Sequence, residues 1–240
     1  MEQKLKSLAT EFRNRFGYNS TEPINFLSLL QRLDVLTVFK PLDDDFSGLS
    51  YKDGDNLFMM VNSIQSVDRQ NFTIGHELYH LFYDKNFVPH KCKTGQFPKR
   101  NQNEFWADIF ASHLLLPTDG IARMIPVDEF RKDSIRLGTL LKIEQTYRSS
   151  RAALLNQLGK MGLASRTYKD QFSTGVKNGA LHYGYSIGLY EPSDETKVLG
   201  AYGNLANRLF EEDKISEGHY RELLMAIGVD VNEIDANDED

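Results

Sequence analysis

His76-Glu77-Leu78-Tyr79-His80 places two imidazoles four residues apart with a carboxylate beside the first. On an α-helix of about 3.6 residues per turn, both rings stand on one face, one above the other. Two neutral imidazoles so placed can share one zinc ion. Glu77 projects a step round from them, so it can take a proton from a zinc-activated water without itself binding the metal. This is the physical content of the H-E-x-x-H pattern. A catalytic zinc needs one more protein ligand and an open position. Glu104 suits the ligand role, because the interval from His80 leaves room for a loop and a return on a second helix. Asp108, one turn further on, suits a carboxylate that accepts the free N–H of a ligating imidazole. The expected set is His76, His80 and Glu104 as ligands, Glu77 as general base, and Asp108 behind the ligands. Two histidines and a carboxylate would also hold manganese, iron or cobalt.

The competing reading makes these residues polar groups on a wetted helix face, which is what charge on a helix usually marks. Phe72, Ile74, Leu78 and Leu81 argue against it, since they describe a helix that is largely buried. Buried ionisable groups require partners. A metal satisfies several at once. An extended substrate then pairs with the edge strand of a small sheet, either residues 46–51 or 57–61. Tyr79, Tyr83, His90 and His113 are candidates for stabilising the oxyanion, and the sequence does not choose among them.

The elements that must position this set are visible in the hydrophobic period. Leu5, Leu8, Ala9, Phe12 and Phe16 mark a first helix over 3–16. Ser20-Thr21-Glu22-Pro23 reads as the start of a second, carrying Ile24, Leu27, Leu30 and Leu33. Strands are predicted over 35–40, 46–51 and 57–61, with a turn at Asp53-Gly54-Asp55. The helical period returns from about Asp68, with Phe72, Gly75, Leu78, Tyr79 and Phe82 on its apolar side. A loop with Pro89, Gly95 and Pro98 leads to a helix from about Asn101 to Leu116, its apolar set Phe105, Ile109, Phe110 and Leu114. Helix is expected from beyond Pro126 to about Leu163, then strands over 183–189 and 197–202. Helices near 204–213 and 216–227 follow, the last capped by Ser216 and stopped by Gly228.

The fold class expected is α+β: a catalytic domain over 1–127 with a small mixed sheet and two metal-binding helices. A helix-turn-helix-like segment over 128–165 and a small α/β region over 166–234 follow. Asp235 to Asp240 reads as an acidic, solvated tail. The 240 residues are ample for a core. A formal charge of −6 argues mildly against a dedicated nucleic-acid binder. The single cysteine, Cys92, excludes an internal disulfide and fits a reducing compartment. No signal peptide is read at Met1 to Lys6, and no run approaches the roughly 18 apolar residues of a membrane span. A cytoplasmic protein with no membrane partner is the expectation.

On these residues the chain resembles the ImmA/IrrE family of metallopeptidases. The resemblance lies in Arg69 to His80, a phenylalanine-threonine run into H-E-L-x-H, and in Glu104-Phe105-Trp106-Ala107-Asp108-Ile109-Phe110-Ala111 followed by Leu114-Leu115-Leu116-Pro117. Glu22-Pro23-Ile24 before a Leu-rich helix is similar to the family's lead-in. The resemblance covers about residues 5–165. It implies a zincin-like, gluzincin-type fold, with His76, His80 and Glu104 as zinc ligands and Glu77 as catalytic base. It also implies a helix-turn-helix repressor as the protein substrate, cleaved to relieve repression in phage or mobile-element induction or a stress response. Tyr79 departs from the glycine often found there, a change expected to alter packing or the cleft.

Residues 136–163 resemble a helix-turn-helix, with Arg148, Arg151 and Lys160 as its basic residues. That is a modest set for reading DNA from an acidic protein, so packing or repressor docking is preferred. His90 and Cys92 form an H-x-C pair read as surface loop, with a cysteine capping the zinc as the alternative. His182 and His219 are read as structural. Two other functions share this pattern: a non-catalytic regulator that binds DNA or the repressor, and a toxin paired with an antitoxin. Glu77 argues against the first, since a purely structural metal has no use for a base beside it.

Overall fold

The computed structural model describes residues 1–43, 45–84, 102–227 and 229. His90, Cys92, the expected loop with Pro89, Gly95 and Pro98, Gly228 and the acidic tail lie outside them.

Helix α1 (Glu2–Arg15) buries Leu5, Ala9 and Phe12, the stripe that a helical period places on one side. Phe12 meets Phe110 edge-on at 5.9 Å between centroids. Buried Arg13 donates to the carbonyls of Leu114 (2.5 Å) and Asn19 (3.0 Å), pinning the following turn. That turn corrects the expected start of α2. Asn19 Oδ1 takes the N–H groups of Thr21 (2.8 Å) and Glu22 (3.0 Å), so Ser20 to Pro23 is a side-chain-closed turn. Helix α2 (Phe26–Arg32) begins after it, with Asn25 as its cap accepting from the Ser28 N–H at 3.2 Å.

The sheet is mixed, as expected, and among the described residues has four strands in the order β2-β3-β1-β4. Strands β1 (Val35–Lys40) and β3 (Asn56–Asn62) are parallel, while β2 (Gly48–Asp53) runs antiparallel to β3 across the Gly54 turn. Segment 57–61 is therefore an interior strand and cannot receive a substrate. Of the two candidates only β2 offers an unpaired edge, because its one sheet neighbour among the described residues is β3.

Helices α3 (Val67–Tyr83) and α4 (Gln102–Leu115) pack closely. A Cβ on Gly75 would lie 3.3 Å from the Ala111 Cβ, so the glycine lets the two backbones approach. Phe105 is not in the core as expected; it is 58% exposed. Turning Glu104 and Ala107 inward, both buried, leaves Phe105 on the outer side of α4. The short helix α5 (Thr118–Met124) follows Pro117 and was not foreseen.

Residues 126–136 form turns rather than the expected helix, with the Glu129 carboxylate accepting the Arg136 N–H at 3.0 Å. Helices α6 (Leu137–Tyr147) and α7 (Arg151–Lys160) are the helix-turn-helix-like pair. Their Leu140, Ile143, Leu154, Leu155 and Leu158 join the same core as Leu5 and Phe110, so the core runs through the boundary expected near 127. Arg151 is buried in an ion pair with Glu144, and Tyr190 donates to that same carboxylate at 2.8 Å. Lys160 reaches Glu2 at 3.2 Å.

Helices α8 (Arg166–Phe172) and α9 (Val176–His182) follow. The expected strand over 183–189 is absent: its alternating Tyr183, Tyr185, Ile187 and Leu189 form a turn and a short 3-10 helix at Gly188–Tyr190. Tyr185, Ile187 and Leu189 close a second small cluster with Leu141 and Ala180, and that packing overrides the period-two pattern. Of 197–202, only Lys197–Leu199 is strand, β4, and it pairs antiparallel with β1. The boundary expected near 165 therefore does not divide the catalytic sheet from the C-terminal region, which supplies one of its strands. Helices α10 (Tyr202–Glu211) and α11 (Glu217–Ala226) close the chain, Ser216 capping α11 by accepting from His219 N–H at 3.3 Å. Among the described residues no helix is long and apolar enough to cross a membrane.

Candidate metal centre

Helices α3 and α4 bring His76, His80 and Glu104 together, all buried, with one ligating atom from each inside a mutual 4.8 Å. The triangle is tighter than that limit. His76 Nε2 lies 3.2 Å from Glu104 Oε2, His80 Nε2 lies 3.2 Å from Glu104 Oε1, and the two Nε2 atoms are 3.2 Å apart.

The opposite ring nitrogens face carboxylates. His76 Nδ1 is 2.9 Å from Asp108 Oδ1, and His80 Nδ1 is 3.1 Å from Asp84 Oδ2. An ionised carboxylate only accepts, so each imidazole keeps its proton on Nδ1 and turns an Nε2 lone pair inward. Two lone pairs and a carboxylate thus converge in a buried space. Protonating both Nε2 atoms instead would set two N–H groups against each other. A cation resolves the arrangement without either conflict. Ligands about 2.0–2.2 Å from a tetrahedral zinc stand roughly 3.3–3.5 Å apart, close to the edges found. The residues present fit the metal.

Burial alone would raise the Glu104 carboxyl; positive charge at His76 and His80, or a cation held between them, outweighs it and keeps the carboxyl well below the usual carboxylate range. Glu104 therefore stands as an anion. Glu77, beside the triangle, is buried, and its Oε2 accepts from the Ser50 hydroxyl at 2.6 Å. Its Oε1 is buried with no hydrogen-bond partner among the described residues. Strand β2 reaches it because of Gly48, where a Cβ would stand 2.4 Å from Thr73 Cγ2 and 3.3 Å from Glu77 Oε1. A side chain there would push β2, and Ser50 with it, off α3.

The structure brings together the expected His76, His80 and Glu104, with Glu77 and Asp108 beside them, and adds Ser50, Asp84 and Asn103, which the sequence reading missed. Asp84 carried a signal: it follows His80 by four residues, one helical turn. Asn103 supports it, donating to both Asp84 oxygens at 3.3 Å. Ser50 carried none, since only the β2–α3 contact brings it to Glu77.

Among the oxyanion candidates, Tyr79 and Tyr83 pack their rings against Phe110, at 5.7 and 5.3 Å between centroids. Burial raises both phenols, keeping them neutral donors. His113 lies nine residues beyond Glu104, about 13 Å along α4, and faces Gln157 and Glu2 instead. Burial, with Lys160 and Lys6 nearby, lowers His113 to about 4, against about 6.5 when unfolded. The unfolded chain therefore binds more protons between these values. The stability from a neutral His113 is complete above about pH 6.5 and falls away as pH drops toward about 4. His113→Gln should flatten the loss of melting temperature across that window; an unchanged slope would count against this burial.

Residues 30–158, more than half of the chain, match a peptidase family described as the IrrE N-terminal-like domain. The chain belongs to this family. The matched span holds every residue of the centre, from Ser50 through Asp108, and the helix-turn-helix-like pair up to Leu158 as well. The mixed α+β fold with its four-stranded sheet agrees with an IrrE-like zincin. A metallopeptidase family and a buried His-His-Glu group point to the same class of chemistry. No curated protein matches the chain significantly.

Proposed function

We propose that this IrrE-like chain is a zinc-dependent endopeptidase of the cytoplasm whose substrate is a helix-turn-helix transcriptional repressor. The observation that carries the catalytic part is Glu77: a buried carboxylate beside the His76, His80 and Glu104 triangle, one oxygen held by Ser50 and the other without a partner among the described residues. A structural metal site has no use for such a group.

His76, His80 and Glu104 would hold the metal. When bound there, zinc supplies Lewis acidity, acidifying water and polarising the scissile carbonyl. Glu77 Oε1 accepts the proton of the attacking water and passes it to the leaving amine. Ser50 fixes the carboxylate so that Oε1, not Oε2, does this. Asp108 and Asp84 keep both imidazoles in the ligating tautomer. The free edge of β2 accepts the substrate backbone as an added strand, which lays it along α3.

The repressor assignment rests on the family resemblance, and it is tested by incubating the zinc-loaded chain with purified helix-turn-helix repressors from the same genome. Two discrete fragments of one repressor are expected, and none with Glu77→Gln; a full set left intact would overturn the substrate. Ser50→Ala should lower kcat by about tenfold, the loss of one charge-assisted hydrogen bond. An unchanged kcat would remove Ser50 from the mechanism.

A further inference from the structure

A groove of about 900 Å³ opens on the Asp108 side of the metal centre, between α3, α4, α7 and α8. On α3, Arg69 and Phe72 share a helix face with His76, so the groove extends seven residues, about 10 Å, from the centre. On α4, Phe105, Asp108, Ile109 and Ser112 form a matching stripe. Phe105, more than half exposed, is its aromatic wall.

The charge of this groove is opposite to that of the chain, whose net is −6. Arg69, Lys160, Arg166 and Lys169 line it against two acids, Asp68 and Asp108. Both acids are engaged: Asp68 accepts from Ser66 and from the Arg69 N–H (2.8 Å), Asp108 from His76 (2.9 Å). The cations are less so. Lys160 reaches the exposed Glu2, and Lys169 meets an amide oxygen of Asn156 at 3.4 Å. Arg166 has no salt bridge among the described residues, and Arg69 has none either, its charge acting only on the neighbouring Asp68.

We propose that this groove docks an acidic segment, carrying one aromatic or large apolar residue, of the protein that the metal centre cleaves. It rests on the peptidase reading above. The apolar residue packs between Phe72 and Phe105, and the acids meet Arg69, Arg166 and Lys169. A peptide fits this pattern better than a nucleic acid. A phosphate on every residue would be set against Asp108 at the inner end, whereas a peptide carries its charge only at the cationic rim. At about 3.3 Å per extended residue, three or four residues cover the groove.

The test uses the full chain as Glu77→Gln and a fluorescent short peptide rich in Asp and Glu with one Phe, read by anisotropy. Binding is expected, steeply weakened by salt and about tenfold weaker in Arg166→Glu/Lys169→Glu. Both positions lie on the surface of α8, and Phe105→Ala provides a second variant that should weaken binding without changing charge. In wild type, the α8 pair should raise KM for a protein substrate and leave kcat unchanged. Equal binding by the charge-reversed variant, equal binding of a Lys-rich peptide, or tighter binding of a single-stranded oligonucleotide would overturn the proposal. Because the peptide readout needs no turnover, acidic-peptide binding without any proteolysis would support the groove and overturn the peptidase reading alone.

Discussion

Glu77→Gln is expected to keep one equivalent of zinc per chain and to lose cleavage by roughly 10²–10⁴-fold, the range for removing a general base. The two effects separate because Glu77 is not among the three converging ligand atoms. The amide is close to isosteric, so the buried site should not collapse. The substituted glutamine can still accept from Ser50 through its carbonyl, which leaves β2 seated on α3. What disappears is the basic oxygen at Oε1, where the carboxylate is buried without a hydrogen-bond partner among the described residues. The measurement is zinc content by elemental analysis alongside the cleavage rate on the same preparation. Wild-type rate in a zinc-loaded variant would remove Glu77 from the mechanism. Loss of zinc together with activity would make it a structural neighbour of the metal instead.

The centre was legible in the sequence because helical geometry is short-range. Residues four apart on one helix must meet, and His76 with His80 needed nothing more. Glu104 and Asp108 were legible because they too lie one turn apart, on a helix that ends just before Pro117. Ser50 was not, because no local spacing links a strand residue to a helix residue 27 positions away. The strands over 35–40 and 57–61 followed from apolar runs, but which of them lay at the edge depended on a parallel pairing and on β4, supplied from residue 197. Segment 183–189 departs from its pattern for the opposite reason. Its alternation is real, yet Tyr185, Ile187 and Leu189 pack against Leu141 and Ala180 from a turn, with no strand pairing among the described residues. Phe105 shows the same limit on a helix: its apolar character marks a groove wall rather than the core.

His80→Ala is expected to lose the metal, and with it all cleavage that depends on the metal. Three ligands converge here, and His80 is the one that closes the triangle, 3.2 Å from both Glu104 Oε1 and His76 Nε2. Removing it leaves two protein ligands, fewer than a three-ligand catalytic zinc site uses. It also leaves Asp84 without its imidazole partner, though Asn103 still donates to that carboxylate. A loss of fold could mimic a loss of ligand, so the variant is paired with Asp84→Asn. That change removes only the charge behind His80, and it should weaken zinc binding by about 10–100-fold while the chain still loads at saturating metal. The graded order, wild type above Asp84→Asn above His80→Ala, is what a ligand and its supporting carboxylate predict. Competition against a zinc chelator, with melting temperature measured in parallel, reads both quantities. Full zinc occupancy in His80→Ala would overturn the ligand set. An Asp84→Asn chain as tight as wild type would leave His80 a ligand whose tautomer is fixed by something other than Asp84.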